Sequence, residues 1–180
     1  EWVKNLYKKA EEKSEDSANF SNLADDIFEN LNDKEWAKKV YKKAEGKSEN
    51  SDDFCDLADK IFENLADKEW TKEVYKKAEE KVEDSDDFRD LANNILEKLG
   101  DKEWVKGIYK KAEGKAEDYD EFSDLAYNIC EKLDDKEWAK KLYKKVEDKA
   151  EGDFDFLRIA ESICEQLDDK TWAKKIYKQI

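Results

Sequence analysis

Residues 36–69 read WAKKVYKKAEGKSENSDDFCDLADKIFENLADKE, and at Trp70 the same pattern starts again. In the first half, Trp36, Ala37, Val40, Tyr41 and Ala44 fall at i, i+1, i+4, i+5 and i+8, which lines them along one stripe of a helix. The spacing predicts a tryptophan helix of about 14 residues ending near Lys47. Asp33, Asp67, Asp101, Asp135 and Asp169 stand before the tryptophans where N-capping side chains belong, with Lys and Glu filling the first turn. In the second half, Phe54, Leu57, Ala58, Ile61, Phe62 and Leu65 recur at i, i+3, i+4, i+7, i+8 and i+11. This phenylalanine helix is expected to begin at Ser51-Asp52-Asp53, a capping side chain followed by acids that complement the helix dipole. Only Ala66-Asp67 links it to the next tryptophan helix, so the two must fold back as an antiparallel hairpin.

Working outward, tryptophan recurs every 34 residues, at Trp2, Trp36, Trp70, Trp104, Trp138 and Trp172. A tyrosine follows five residues later (Tyr7, Tyr41, Tyr75, Tyr109, Tyr143, Tyr177) and a phenylalanine eighteen later (Phe20, Phe54, Phe88, Phe122, Phe156). Self-similarity at such a period is the mark of a repeat architecture. One hairpin cannot cover its own apolar stripe, and stacking against neighbours supplies the cover. The expected fold is all-α, an αα-hairpin repeat solenoid forming one domain over residues 1–180. Its 34-residue units are 2–35, 36–69, 70–103, 104–137 and 138–171, with a partial sixth at 172–180. The aromatic columns are expected to be core rather than a stacking platform for bases or sugars.

The pattern Phe54-x-x-Leu57-Ala58-x-x-Ile61 followed by Trp70-Thr71-x-x-x-Tyr75-x-x-Ala78 resembles the tetratricopeptide-repeat family, and related α-solenoids share much of it. It departs from that family in a longer link between paired helices, in lacking proline after the second helix, and in carrying its tryptophan on the other helix. The resemblance implies a right-handed superhelix, with the phenylalanine helices lining a concave surface and the tryptophan helices the convex one.

Composition narrows the function. The chain of 180 residues contains no histidine, which removes the usual base near neutral pH and the commonest metal ligand. Acid pairs such as Asp52-Asp53 recur as caps from repeat to repeat, and a catalytic site is not ordinarily written out five times. No enzyme activity, cofactor or metal is expected. The loops Asp84–Asp87 and Asp118–Glu121 have the oxygen-rich spacing of calcium ligands, yet lack the glycine and glutamate of an EF-hand, and read as helix caps. Cys55, Cys130 and Cys164 show no CxxC spacing and read as free thiols, which fit a cytoplasmic setting slightly better than an oxidising one. No apolar run approaches the roughly 20 residues of a membrane span. A chain without methionine that opens on Glu1-Trp2 is expected to be processed, excised or engineered.

The net charge of −14 disfavours nucleic acid as a partner. Charge is also partitioned: Trp36–Lys47 holds five lysines and one glutamate, Ser48–Glu69 eight acids and two lysines. Helix dipoles and attraction between neighbouring helices account for much of this. Combined with the resemblance, it implies an acidic groove. Two columns on the phenylalanine helices break the repeat and are the candidate partner-binding positions: Ser21, Cys55, Arg89, Ser123, Leu157, and Asp25, Asp59, Asn93, Tyr127, Glu161. In peptide-binding members of the resembled family these are groove positions. Arg89 with Asn93 resembles part of a carboxylate clamp, but Asp124 replaces the expected amide and the surroundings are acidic, so that ligand is not expected. The leading expectation is a protein-interaction scaffold for a protein or peptide segment, a basic one if the groove is acidic. The alternative is a structural or engineered array acting as a spacer or self-associating end to end, and binding of nucleic acid or anionic membrane through a basic face ranks last.

Overall fold

The computed structural model describes residues 1–180 and contains helices and connecting turns, with no strand. In chain order the helices are α1 (Trp2–Lys13), α2 (Ser17–Leu31), α3 (Lys34–Glu45), α4 (Ser51–Lys60), α5 (Lys68–Glu79), α6 (Ser85–Leu99), α7 (Lys102–Lys115), α8 (Tyr119–Leu133), α9 (Lys136–Lys149), α10 (Asp153–Leu167) and α11 (Lys170–Ile176). A π-helical turn, Ile61–Leu65, continues α4. Contacts divide the chain into two bodies. The first is Glu1–Val82 with Asn93–Gly100, the second Glu83–Ala92 with Asp101–Ile180, so α6 is shared between them.

The tryptophan helices begin as expected. The carboxylates of Asp33, Asp67, Asp101, Asp135 and Asp169 each accept the backbone N–H of the tryptophan three residues on. The two-residue link has a fixed grammar, a left-handed residue and then that capping aspartate. Asn32, Ala66, Asp134 and Asp168 all have φ near +50° (49°, 53°, 55° and 52°), and Gly100 has φ of 67°. The phenylalanine helices start one residue earlier than expected in their capping. Asn50, not Ser51, caps α4 through Asp53 N–H, and Ser51 is buried as the first helical residue. The acid-rich loops are caps too: Asp84 accepts from Asp87 N–H, and Asp118 and Glu121 form a reciprocal capping box. Helix α3 stops at Glu45, a half-turn short of Lys47, because the chain turns at Gly46.

In the first body, α2 packs on α3 and α4 on α5; in the second, α8 packs on α9 and α10 on α11. The predicted stripes meet in these pairs. Ala37, Val40, Tyr41 and Ala44 of α3 are buried, as are Leu57, Ala58 and Ile61 around α4. The tyrosine column is the deepest aromatic layer: Tyr41, Tyr75, Tyr109 and Tyr143 are among the largest fully buried side chains. The tryptophans correct the expectation of a uniform core column. Trp70 is buried, Trp36, Trp104, Trp138 and Trp172 are half-buried, and Trp2 is 73% exposed. They sit at the margin of the stripe, first in the i, i+1, i+4, i+5 series, where depth depends on the next helix rather than on the hairpin partner.

Candidate functional site

The margin position of the indoles builds a polar ladder between successive tryptophan helices. Four of the N–H groups donate to a glutamate 25 residues earlier, at 2.9 Å from Trp36 to Glu11, 3.0 Å from Trp70 to Glu45, 2.8 Å from Trp138 to Glu113 and 2.9 Å from Trp172 to Glu147. Lysines tie the same rungs: Lys43 to Glu11, Lys77 to Glu45 and Lys145 to Glu113. A second set, Lys38 to Asp67, Lys106 to Asp135 and Lys140 to Asp169, holds the capping aspartates. Lys38, Lys106 and Lys140 also lie over the rings of Trp70, Trp138 and Trp172. Burial alone would raise the Glu11 and Glu113 carboxyls, but their lysine partners and the indole N–H groups outweigh it and hold both below the ordinary value. One or two lysines of each of α3, α5, α7 and α9 are thereby spent between the helices.

On the phenylalanine helices, the candidate column five residues past the phenylalanine meets the buried tyrosines. Tyr41 donates its hydroxyl hydrogen bond to Asp25, and Tyr75 does the same to Asp59, each sixteen residues back. Asp25 also accepts from Lys60 at 2.7 Å and Asn64 at 2.9 Å, and Asn64 lies 2.7 Å from the Tyr41 hydroxyl. Burial and the neighbouring carboxylate push the Tyr41 and Tyr75 phenols well above their ordinary range, so both stay protonated and donate. Asp59 itself is raised by burial against the opposing pull of Tyr75 and Lys98.

In the second body the corresponding quartet is Tyr127, Tyr143, Ser162 and Gln166, each 102 residues after Asp25, Tyr41, Lys60 and Asn64. The network is absent there. Tyr143 is 1% exposed and its hydroxyl makes no well-formed hydrogen bond, Ser162 being the side chain that stands in as its partner and opposes the effect of burial on the phenol. Tyr127 is 43% exposed, and the Glu131 carboxylate beside it, reinforced by Glu165, lifts its phenol above the ordinary value.

The other candidates are placed as follows. Arg89 is held by three carboxylates, Asp86 at 2.6 Å, Asp124 at 3.0 Å and Asp90 at 3.3 Å, so its donors are already engaged. Ser21 is buried, Cys55, Asn93, Ser123 and Leu157 are half-buried, and Glu161 is exposed. No disulfide links the three cysteines. The spacing did not single out Tyr143, Lys60 or Asn64, although the constant sixteen-residue offset between Asp25 and Tyr41 was the available signal.

The arrangement defines an all-α protein of adjacent helix pairs whose surface chemistry is carboxylate, lysine and tyrosine. No helix is long and apolar enough to cross a membrane. No protein-family model, curated protein or solved structure matches the chain, so the tetratricopeptide resemblance rests on the residues quoted for it.

Proposed function

We propose that the chain is a solenoid of 34-residue hairpins, similar to tetratricopeptide repeats, and a non-enzymatic scaffold whose phenylalanine-helix face takes a basic segment of a partner protein. Support for the repeat comes from the recurrence of the tryptophan–glutamate bond at a constant 25-residue separation. The observation that carries the function is the division of charge. Of the lysines on the tryptophan helices, Lys38 and Lys43 of α3 and Lys140 and Lys145 of α9 are paired in the ladder and both helices stay net basic, whereas α10 carries four carboxylates against one arginine and α8 four against one lysine. A face of that sign steers and selects cationic segments. Fluorescence anisotropy with a labelled peptide of alternating lysine and alanine, beside one of alternating glutamate and alanine, tests it. Binding of the lysine peptide alone, weakened by salt, supports the scaffold; equal binding of both peptides or of neither rejects it.

A second reading is an array that self-associates. The observation favouring it is that α1 buries none of its residues, leaving Trp2, Val3 and Leu6 exposed where the matching Trp70, Thr71 and Val74 of α5 are buried. Small-angle scattering over a concentration series separates the two: unchanged curves fit the scaffold, and particles that lengthen with concentration fit the array.

A further inference from the structure

The Asp25 quartet of the first body has a counterpart in the second from which the carboxylate and the lysine around the tyrosine have been removed. Tyr127 takes the place of the aspartate, Ser162 that of Lys60 and Gln166 that of Asn64, and the buried Tyr143 hydroxyl is left without a well-formed hydrogen bond, with Ser162 alone standing in for the lost carboxylate. An orphaned buried hydroxyl is destabilising, so the substitution at 127 works against the fold. Local rules that a sequence breaks against its own stability mark functional positions. In return, α8 carries a tyrosine that is 43% exposed. Glu131 follows Tyr127 by four residues on α8 and so shares its face, and with Glu165 of α10 its carboxylate acts on the phenol. Lys132 and Lys136 are the closest cations in sequence, and Lys136 acts on Cys130 rather than on Tyr127.

A part-exposed tyrosine flanked by two carboxylates is suited to an ammonium or guanidinium group, which is drawn to an aromatic ring while its charge is met by the acids. Phosphate, carboxylate and nucleic acid are repelled by the same acids. We infer that Tyr127, with Glu131 and Glu165, is the seat for one lysine or arginine side chain of a partner's basic segment. This rests on the reading of the phenylalanine-helix face as the partner surface and names the residue that anchors the partner there.

The test measures anisotropy of the labelled lysine–alanine peptide, and of the same peptide with glutamine for lysine, against wild type, Tyr127→Ala, Tyr127→Phe and Tyr127→Asn. Wild type should bind the lysine peptide and not the glutamine one. Tyr127→Ala should weaken it about tenfold and Tyr127→Phe, which keeps the ring, by less than about twofold. Tyr127→Asn should weaken it as much as Ala does while raising the melting temperature, because an amide oxygen in reach of Tyr143 supplies the missing acceptor; loss of binding in a more stable protein cannot be unfolding. If Tyr127→Ala leaves the lysine peptide bound as in wild type, this seat is wrong while the basic-partner reading stands. If wild type does not distinguish the lysine from the glutamine peptide, both are overturned.

Discussion

The hydroxyl of Tyr41 donates to the carboxylate of Asp25, and at the matching place in the second body the hydroxyl of Tyr143 makes no well-formed hydrogen bond and has only Ser162 beside it. The two tyrosines are equally buried, and Tyr143 lacks both the Asp25 carboxylate and the Asn64 amide that meet the Tyr41 hydroxyl. Removing the oxygen should therefore have opposite consequences. Tyr41→Phe deletes a hydrogen bond to a charged acceptor that is itself part of a Lys60 and Asn64 network, and should cost about 1.5 to 3 kcal/mol. Tyr143→Phe removes an unsatisfied buried group without changing shape, and should be neutral or stabilising by up to about 1 kcal/mol. Urea unfolding of the two variants beside wild type checks the pair; equal losses at both positions would show that Tyr143 has a partner in solution.

The tryptophan column predicts a graded series. Trp70 is buried and Trp36 only half-buried, though both make the same indole bond to a glutamate. Trp70→Ala should cost about 3 to 5 kcal/mol, the range for truncating a buried aromatic, and Trp36→Ala about half as much because less apolar area leaves water on folding. Trp138→Phe keeps an aromatic ring but loses the N–H to Glu113, which retains Lys145, and part of the indole's apolar area, so it should cost about 1 to 2 kcal/mol. Thermal unfolding followed by circular dichroism ranks the three, and a uniform loss would mean that burial does not set the cost.

Period and capping residues were legible in the chain because they are local. A 3.6-residue stripe and an aspartate three residues before a tryptophan amide need no knowledge of the neighbours, and Asp33, Asp67, Asp135 and Asp169 cap as their positions require. Depth was not legible. Spacing aims Trp36 and Tyr41 to the same side of α3, but only the approach of the neighbouring helix leaves one half-open and closes the other. The candidate column shows the same limit. Asp25 and Tyr127 occupy one register position and read alike as exposed variation, yet Asp25 turns to a buried hydroxyl and Tyr127 stays in solvent.

Ala66 adopts φ of 53°, a conformation that side chains with a Cβ tolerate poorly, while the matching link residue 100 is glycine with φ of 67°. Ala66→Gly should relieve that strain against the added freedom of the unfolded chain, for a net stabilisation of about 0.5 to 1 kcal/mol. Gly100→Ala should reverse the sign and cost a similar amount, since its φ is equally left-handed even though no atom crowds the new Cβ. Chemical denaturation midpoints for the two variants measure both directions.

Acid should loosen the helix ladder before it affects the apolar core. Asp67 and Asp169 are lowered chiefly by their lysine partners, Asp135 by the Trp138 N–H, and Glu11 and Glu113 by lysine and indole together against the opposing effect of burial. A carboxylate whose folded pKa lies below its unfolded value stabilises fully above the unfolded value, which is 3.8 for aspartate and 4.5 for glutamate here. That stabilisation is lost as pH falls through the lower, folded value. Asp59 and Asp124 work in the other sense. Burial raises both, so their contribution is present at low pH and lost as pH rises through the folded value. The lowered groups are the more numerous and occur in both bodies, so the melting temperature should fall between about pH 5 and about pH 3. Asp135→Asn removes one lowered group and should flatten that fall. Asp59→Asn removes an opposing one and should make it steeper. Melting curves across this range for wild type and the two variants decide the matter, since a slope unchanged by either substitution would mean that neither carboxylate has a folded pKa different from its unfolded one.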